Sequence, residues 1–312
     1  MPDLVIITVS YNTRGLLRRC LSALRPHWLR LAAQVVVVDN ASGDGSAAMV
    51  SAEFPEVTLI ANPGNVGFAK ASNQAIAATD SRYLLLLNSD AFLVGDAAER
   101  LRAGLEANPQ AAAAGPRMCD GQGRVLASAH AFESLPRLAG SALHVSRLLP
   151  ERLLDAAAPL LGRAGGQHLL NYQATCPVNV DWVSGACMLV RRSAAERVGL
   201  LDEGFFMYME DEDWCRRFRQ AGYEVLYLPQ AEAIHYVARS SGGGLQSALR
   251  YRKSRLRYHR RYHPRLYPAF WLLANCYTLR QGGVAGLVDW VSRRRPVGMP
   301  TAGIPALREA ER

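Results

Sequence analysis

Four acids stand side by side in Glu210-Asp211-Glu212-Asp213, delivered by an aromatic and apolar run, Phe205-Phe206-Met207-Tyr208-Met209, and followed by Trp214. Acids in a first helical turn complement the helix macrodipole, which accounts for one or two of them. Crowded like charge beside apolar residues has a further effect: it can hold one carboxyl's pKa high enough for proton abstraction. A fifth acid, Asp90, closes Leu84-Leu85-Leu86-Leu87-Asn88-Ser89-Asp90, where an apolar strand runs into polar residues. Mg²⁺ and Mn²⁺ prefer oxygen ligands, commonly one or two carboxylates completed by phosphate oxygens. Asp90 is therefore a candidate metal ligand, and a turn or helix cap is the plainer reading of the same residue. His235, in Ala233-Ile234-His235-Tyr236, follows another strand-like run. A lone histidine is more often structural, but together with Asp90 it offers an Asp/His site suited to a transition metal such as Mn²⁺.

Two more clusters have ligand-binding chemistry. Asn12 ends Ser10-Tyr11-Asn12, and Asp39-Asn40 ends a second apolar run. A carboxylate accepts from a pyrimidine ring N–H, and an amide both donates and accepts, so Asn12 and Asp39 suit a heterocyclic base. The same residue types also build turns. The segment Asn62-Pro63-Gly64-Asn65-Val66-Gly67-Phe68-Ala69-Lys70-Ala71-Ser72-Asn73 reads as a glycine-bearing loop entering a helix. Its helix N-terminus favours an anion, and Lys70 and Asn73 lie one turn apart, able to face one ligand. An ordinary loop-to-helix junction has this composition too. Neither GxGxxG after the first strand nor a phosphate-loop pattern is present.

The elements that must position these groups follow from hydrophobic patterning. Strands are expected at Leu4–Val9, Val35–Val38, Val57–Ile60, Tyr83–Leu87, Trp182–Val190 and Glu224–Leu228. Helices are expected at Gly15–Leu31, Ser46–Phe54, Phe68–Ala78 and Glu212–Ala221. Short apolar runs alternating with helices indicate a parallel sheet covered on both faces. Ligands of such sheets bind outside the carboxyl ends of the strands, so the polar clusters at Asn12, Asp39-Asn40 and Asn88-Ser89-Asp90 should converge on one crevice. Gly123–Pro177 is rich in Ala, Leu, Arg and His with weak strand punctuation, and reads as an insertion or lid. After Gly242-Gly243-Gly244 comes a basic stretch around Arg250–Arg261, then an aromatic segment, Tyr267–Tyr277, and from Arg293 a loose end.

Composition sets the bounds. The 312 residues are 49% hydrophobic, enough for a full core, and the formal charge is +9. Six cysteines without CxxC or zinc-finger spacing fit reduced thiols in a cytoplasmic protein. The N-terminus enters a strand almost at once, so no secretory signal is expected, and no stretch reaches the roughly 18 to 20 uninterrupted apolar residues of a membrane span.

Taken in order, the motifs resemble the family 2 inverting glycosyltransferases of GT-A fold, especially bacterial rhamnosyltransferase-like members. The resemblance runs from about Val5 to Ser241. It rests on Ser10-Tyr11-Asn12, Val38-Asp39-Asn40-Ala41-Ser42, Asn65-Val66-Gly67-Phe68-Ala69, Leu87-Asn88-Ser89-Asp90, Trp182-Val183-Ser184-Gly185-Ala186, Glu210-Asp211-Glu212-Asp213 and His235. It implies a Rossmann-like α/β fold with a mixed, mainly parallel sheet flanked by helices. Residues 1–241 would form the catalytic domain and 242–312 a basic helical extension. It implies that Asn12, Asp39 and Asn40 contact the nucleotide, that Asn65–Asn73 with Gly67 and Lys70 lines its site, and that Asn88 and Asp90 occupy the DxD metal motif. Asp211 would be the catalytic base, paired with Glu210; His235 a metal ligand; Trp182, Ser184 and Gly185 neighbours of the acceptor and the transferred sugar. Asn88 departs from the motif, whose first position is Asp.

The implied reaction is inverting transfer from a nucleotide-diphosphate sugar, first dTDP-rhamnose, to a glycan or polyprenyl-diphosphate-linked sugar acceptor, with Mg²⁺ or Mn²⁺. This would be a step of cell-surface polysaccharide synthesis. The basic run and the aromatics after it suit an anionic membrane surface, giving a cytoplasmic protein peripheral to the inner face. A solvated basic helix packed back on the domain is the plainer reading. No nucleic-acid motif is present, so nucleic acid is not expected as a partner. A nucleotidyltransferase or a catalytically silent sugar-nucleotide or glycan-binding module are the alternatives.

Overall fold

The computed structural model describes residues 2–135, 138, 171, 173–236 and 244–276. Most of the expected lid, the start of the Gly242-Gly243-Gly244 break and the end from Arg293 lie outside the described residues.

The first half follows the apolar runs closely. Strands β1 (Leu4–Ser10), β2 (Gln34–Asp39), β3 (Thr58–Ala61) and β4 (Tyr83–Leu87) alternate with helices α1 (Arg14–Arg30), α2 (Ser46–Glu53) and α3 (Phe68–Ala77). All four strands are parallel, in the order β3-β2-β1-β4. Their side chains alternate between two cores, as a period of two requires. Leu4 and Ile6 join Leu17, Leu21, Val35 and Val37 on one face, while Val5 and Ile7 join Val36, Val38, Leu84 and Leu86 on the other. The chain leaves β1 toward β2 on one side and later returns to β4 on the other, so a crevice opens at their carboxyl ends.

The second half extends the sheet: β5 (Ala91–Val94), α4 (Ala97–Ala107), β6 (Ala111–Cys119), the short β7 (Val125–Leu126), β8 (Ala129–His130), β9 (Val178–Val180) and β10 (Trp182–Val183), then β11 (Cys187–Arg191), α5 (Arg192–Val198), α6 (Glu210–Gln220), β12 (Glu224–His235) and α7 (Gly244–Tyr262). The main sheet runs β3-β2-β1-β4-β11-β6-β12-β5, with β11 antiparallel to both neighbours and β12 parallel to β6. The strand expected over Trp182–Val190 is two strands. Ser184-Gly185-Ala186 turns the chain between them, tied by the Ser184 N–H to the Ser128 carbonyl and by the Asn88 N–H to the Ala186 carbonyl, each at 2.9 Å. The strand expected over Glu224–Leu228 runs on to His235, past an irregularity between Leu228 and Glu232.

Helix α7 carries the basic run and packs against α6. Tyr258 and His259 are fully buried, and Tyr258 joins Phe205 and Met209 in a third apolar cluster. Asp213, fully buried in the first turn of α6, accepts from Arg217 at 2.8 Å, from Arg261 at 3.1 Å and from the Tyr262 hydroxyl at 2.7 Å. Residues 267–276 form a further helical stretch whose Phe270 stacks on His259 at 3.5 Å between ring centres. Because Asp213 compensates cations from two helices, Asp213→Ala should lower the unfolding free energy by about 3 kcal/mol or more, measured by urea denaturation. A loss below about 1 kcal/mol would show that α7 docks by apolar contact alone.

Candidate active site

The three polar clusters meet where the strands end. Ser10, Asp39 and Ala61 are in register across β1, β2 and β3. The Asn40 N–H donates to the Ser10 carbonyl at 2.9 Å, and the Thr13 hydroxyl bridges Ser10 at 3.1 Å to Ser89 at 3.0 Å. Asn12 has a left-handed backbone, φ 55°, and its side-chain oxygen accepts the Gly43 N–H at 2.8 Å. Asn40 ties the Gly67 carbonyl to Asn62. Asp39 is 2% exposed; one of its oxygens accepts the Ser42 N–H at 2.9 Å, and the other, Oδ1, meets no hydrogen-bond partner among the described residues. A buried acceptor left open at a strand end is what a ring N–H would satisfy.

A cavity of about 470 Å³ opens beside these ends. That volume is typical of small-molecule sites, which run from roughly 300 to 1,000 Å³. One wall is Val9, Tyr11, Asn40, Asn65, Asn88 and Ser89. The lining also brings Trp182, Ser184 and Gly185 to Glu210, Asp211 and Glu212, and includes His235. Trp182 is fixed by stacking on His130 at 4.1 Å and by its indole N–H on the Ala131 carbonyl. Among the described residues, the acids that line the cavity are Glu210, Asp211 and Glu212, so its acidity comes from the first turn of α6.

The acids reach the cavity through a distorted turn. Tyr208 and Met209 both sit in the left-handed region, φ 71° and 70°, just before α6 begins at Glu210. Such conformations cost on the order of 1–3 kcal/mol each in non-glycine residues and persist where the surroundings over-determine them. Gly67, φ 86°, packs against this segment; a Cβ there would run into the Phe206 carbonyl, which instead accepts the Phe68 N–H at 2.8 Å. Asp211 Oδ2 accepts the Gly185 N–H at 2.9 Å, and Oδ1 accepts the Glu212 N–H at 2.9 Å. Burial raises the Asp211 carboxyl above its ordinary value, against the pull of those amide donors. Burial, with Asp211 adjacent, raises Glu210 well above its ordinary value, and its Oε2 is buried without a partner among the described residues. Glu212 is pushed by burial to about 8, while the Glu133 N–H and the Tyr258 hydroxyl bind it.

Asp90 lies behind the cavity, fully buried, with Oδ1 at 3.2 Å from His235 Nε2. One carboxylate and one imidazole at a cavity edge fit a divalent cation whose other ligands come from a ligand's phosphates, and fit a closed all-protein cage poorly. No group of three or more His, Cys, Asp or Glu with metal-binding geometry occurs among the described residues.

Of the residues expected from sequence, Asn40, Asn65, Asn88, Trp182, Ser184 and Gly185 line the cavity, as do Glu210, Asp211 and His235. Asn12, Asp39, Gly67 and Asp90 surround it without lining it, and Lys70 is exposed on α3. Asn73 is a brace: its amide donates to the Leu201 carbonyl at 2.9 Å and to Glu203 at 3.1 Å, and its oxygen accepts the Leu201 N–H. Tyr208, Ser247 and Tyr251 line the cavity without being expected there, the last two because they belong to a stretch whose sequence is dominated by charge.

The family model for "Glycosyl transferase family 2" matches residues 5–199. The chain is 31% identical over 256 residues to the N-acetylglucosaminyl-diphospho-decaprenol L-rhamnosyltransferase of Mycobacterium tuberculosis, covering 78% of this chain and 79% of that protein. It is 44% identical over 80 residues to the rhamnosyltransferase WbbL of Escherichia coli, 25% of this chain and 30% of the other. In structure it is similar to the mannosyltransferase PcManGT of Pyrobaculum calidifontis, solved with GDP-Man and Mn²⁺: TM-score 0.55 at 16% identity, over 94% of this chain and 79% of that one.

The raised carboxyls of Glu210 and Glu212 make stability depend on pH. Both carboxyls are raised in the folded state, so their contribution is complete below the ordinary glutamate range and is lost as pH rises through the folded value, about 8 for Glu212. Each such group contributes a slope of up to about 1.4 kcal/mol per pH unit between its unfolded and folded values. The urea midpoint should fall between about pH 5 and about pH 8, and Glu212→Gln should flatten that fall. An equal slope in the variant would remove Glu212 as its source.

Proposed function

The chain belongs to glycosyl transferase family 2 and has the GT-A fold, and from that premise we propose that it transfers a sugar with inversion from a nucleoside-diphosphate donor to a hydroxyl of a lipid-linked or glycan acceptor. The first-choice donor is dTDP-L-rhamnose, supported by the two rhamnosyltransferase relatives. The M. tuberculosis relative is named for an N-acetylglucosaminyl-diphospho-decaprenol, which supports a polyprenyl-diphosphate-linked acceptor and a step of polysaccharide synthesis. The observation that carries the reading is Asp211: a half-buried carboxylate, held by the Gly185 amide, lines the same cavity as the strand-end residues Asn40, Asn88 and Ser89.

In this reading the donor base lies at the ends of β1 and β2, with its ring N–H on the open oxygen of Asp39. Asp211 removes the proton from the acceptor hydroxyl, and burial, by raising its carboxyl above the ordinary value, strengthens it as a base. The acceptor oxygen forms a bond to the anomeric carbon as the bond from that carbon to the diphosphate oxygen breaks. Attack opposite the leaving group inverts the centre through an oxocarbenium-like transition state. Glu210 lines the cavity beside Asp211, and burial, with Asp211 adjacent, raises its carboxyl well above its ordinary value, which disfavours a second negative charge beside the departing diphosphate. Asp90 and His235 would hold a divalent Mg²⁺ or Mn²⁺, which supplies Lewis-acid stabilisation of the diphosphate; the Mn²⁺ of the Pyrobaculum mannosyltransferase supports this. Asn88, an amide at the cavity, leaves Asp90 as the motif's one carboxylate, so the donor's phosphates complete the ion's shell.

The same reading includes peripheral attachment to the inner face of the membrane. No helix among the described residues is long and apolar enough to cross a bilayer. Beyond α7, however, Leu266, Trp271 and Leu272 are exposed, with the exposed cations Arg260 and Arg265 near them in sequence. Aromatic and aliphatic side chains beside cations suit an anionic interface.

With purified protein, dTDP-L-rhamnose should raise the melting temperature, and more so with Mn²⁺. Asp90→Ala should erase the Mn²⁺ increment, and Asp211→Asn should keep donor binding while cutting transfer by roughly 10²–10⁴-fold. Near-full turnover in Asp211→Asn would remove it as the base. In flotation assays the chain should bind vesicles with anionic lipid and not neutral ones, and the Trp271→Ser, Leu272→Ser double variant should lose binding. Unchanged flotation would reject that face as the contact.

A further inference from the structure

The cavity lining includes two elements the donor reading does not use: the turn Met207–Met209 and the C-terminal helix α7, through Ser247 and Tyr251. The Tyr208 hydroxyl and Ser247 Oγ are 2.6 Å apart. The rings of Tyr208 and Tyr251 meet edge to face, centres 5.5 Å apart at 78°. Tyr251 is held in turn by Arg255, whose guanidinium lies 4.5 Å from the ring centre and donates to the Tyr251 hydroxyl at 3.1 Å. Arg255 is itself anchored on Glu133 at 2.7 Å. The Ser254 hydroxyl fastens the helix to the Met207 carbonyl at 2.7 Å.

We infer that Tyr208, Ser247 and Tyr251 form the acceptor subsite, which receives a pyranose ring and presents one of its hydroxyls to Asp211. The inference rests on the donor reading above and extends it to the second substrate. Its geometry comes from the shared cavity: Tyr208, Ser247 and Tyr251 line the same cavity as Asp211, and Tyr208 belongs to the turn that leads into α6. Its chemistry comes from their side chains. Two phenol rings give apolar, rigid surface to the C–H face of a sugar, and the Tyr208–Ser247 hydroxyl pair can donate to and accept from the sugar's hydroxyls. Tyr208 occupies its left-handed conformation one residue before the α6 cap, so the side chain that receives the sugar and the carboxylate that activates it are set by one turn.

The test uses the full chain with dTDP-L-rhamnose as donor and a panel of acceptors, a short-chain N-acetylglucosaminyl-diphospho-prenol and methyl glycosides of hexoses. Tyr251→Ala should raise the acceptor KM about tenfold or more while the donor Kd holds, and Tyr251→Phe should rescue that KM to within about threefold. If Tyr251→Ala does not fold, Ser247→Ala, which removes half of the hydroxyl pair, should raise the acceptor KM in the same selective way. An unchanged acceptor KM in the folded variant, or donor Kd and acceptor KM rising together, overturns the subsite. Donor binding by the wild type with transfer to none of the acceptors overturns it as well. Failure of the wild type to bind any nucleotide sugar overturns the donor reading instead, and the subsite with it.

Discussion

The structure depends on packing four consecutive carboxylates into the first turn of one helix, three of them buried and Asp211 half-buried. A carboxylate moved out of water costs several kcal/mol unless it is paired, hydrogen-bonded or protonated. The four acids of α6 take different routes. Asp213 is paired by Arg217, Arg261 and Tyr262. Glu212 is bound by the Glu133 amide and raised to about 8, and Glu210 is raised well above its ordinary value by burial and by Asp211. Asp211 has two backbone amides, so its pKa rises less freely and it remains available as a base. One turn thus contains a charge fixed by cations, two carboxyls disposed to hold protons, and one ionisable group facing a cavity. The divergence of neighbouring carboxyls is what allows acid and base roles at one pH.

That arrangement sets demands on distant segments. Gly185 must place its amide on Asp211, and a Cβ at this position would press on the Asp211 side chain at 3.3 Å. Gly67 must let the Phe206 segment pass close by. Each is a position where absence of a side chain permits an approach, Gly67 at the start of α3 and Gly185 in the turn between β10 and β11. The strained pair Tyr208–Met209 is held between them and α7. Strain of this kind persists because Ser247, Ser254 and Tyr258 clamp the turn from outside.

Legibility in the sequence follows the same physics. The apolar runs of β1 to β4 read as buried parallel strands because both faces are covered, and their polar ends locate the crevice. β6 does not read as a strand: Ala111-Ala112-Ala113-Ala114 is the composition of a helix, and its place between β11 and β12 overrides that propensity. The run Trp182–Val190 has strand-like residues at both ends, yet Ser184-Gly185-Ala186 breaks it, and the glycine is the available signal. Asn73 resembles a ligand group because it is polar and one turn from Lys70, but a buried amide bonded to both sides of Leu201 is tertiary architecture, invisible without the fold. Tyr251 is hidden for the opposite reason: it stands among arginines, and only the docking of α7 turns it toward the cavity.

The basic helix illustrates how far net charge can mislead. Of the cations that make the segment look like a polyanion-binding run, Arg257 and Arg261 engage Asp202, Arg255 engages Glu133, and Arg252 engages Asn275. The carboxylates among those partners offset the charge, so long-range attraction for a surface rests mainly on the exposed cations Lys253, Arg260 and Arg265. The helix also bears on the chemistry. Arg261 pairs with Asp213, the Tyr258 hydroxyl hydrogen-bonds Glu212, and Ser247 and Tyr251 from the other end of α7 line the cavity with Asp211. Without that helix the turn would be open to water, and desolvation, the cause that raises Asp211, Glu210 and Glu212, would be removed from all three. The basicity of the carboxylate at the centre of the site is therefore a property of the packing between two helices, and not of the acid motif alone.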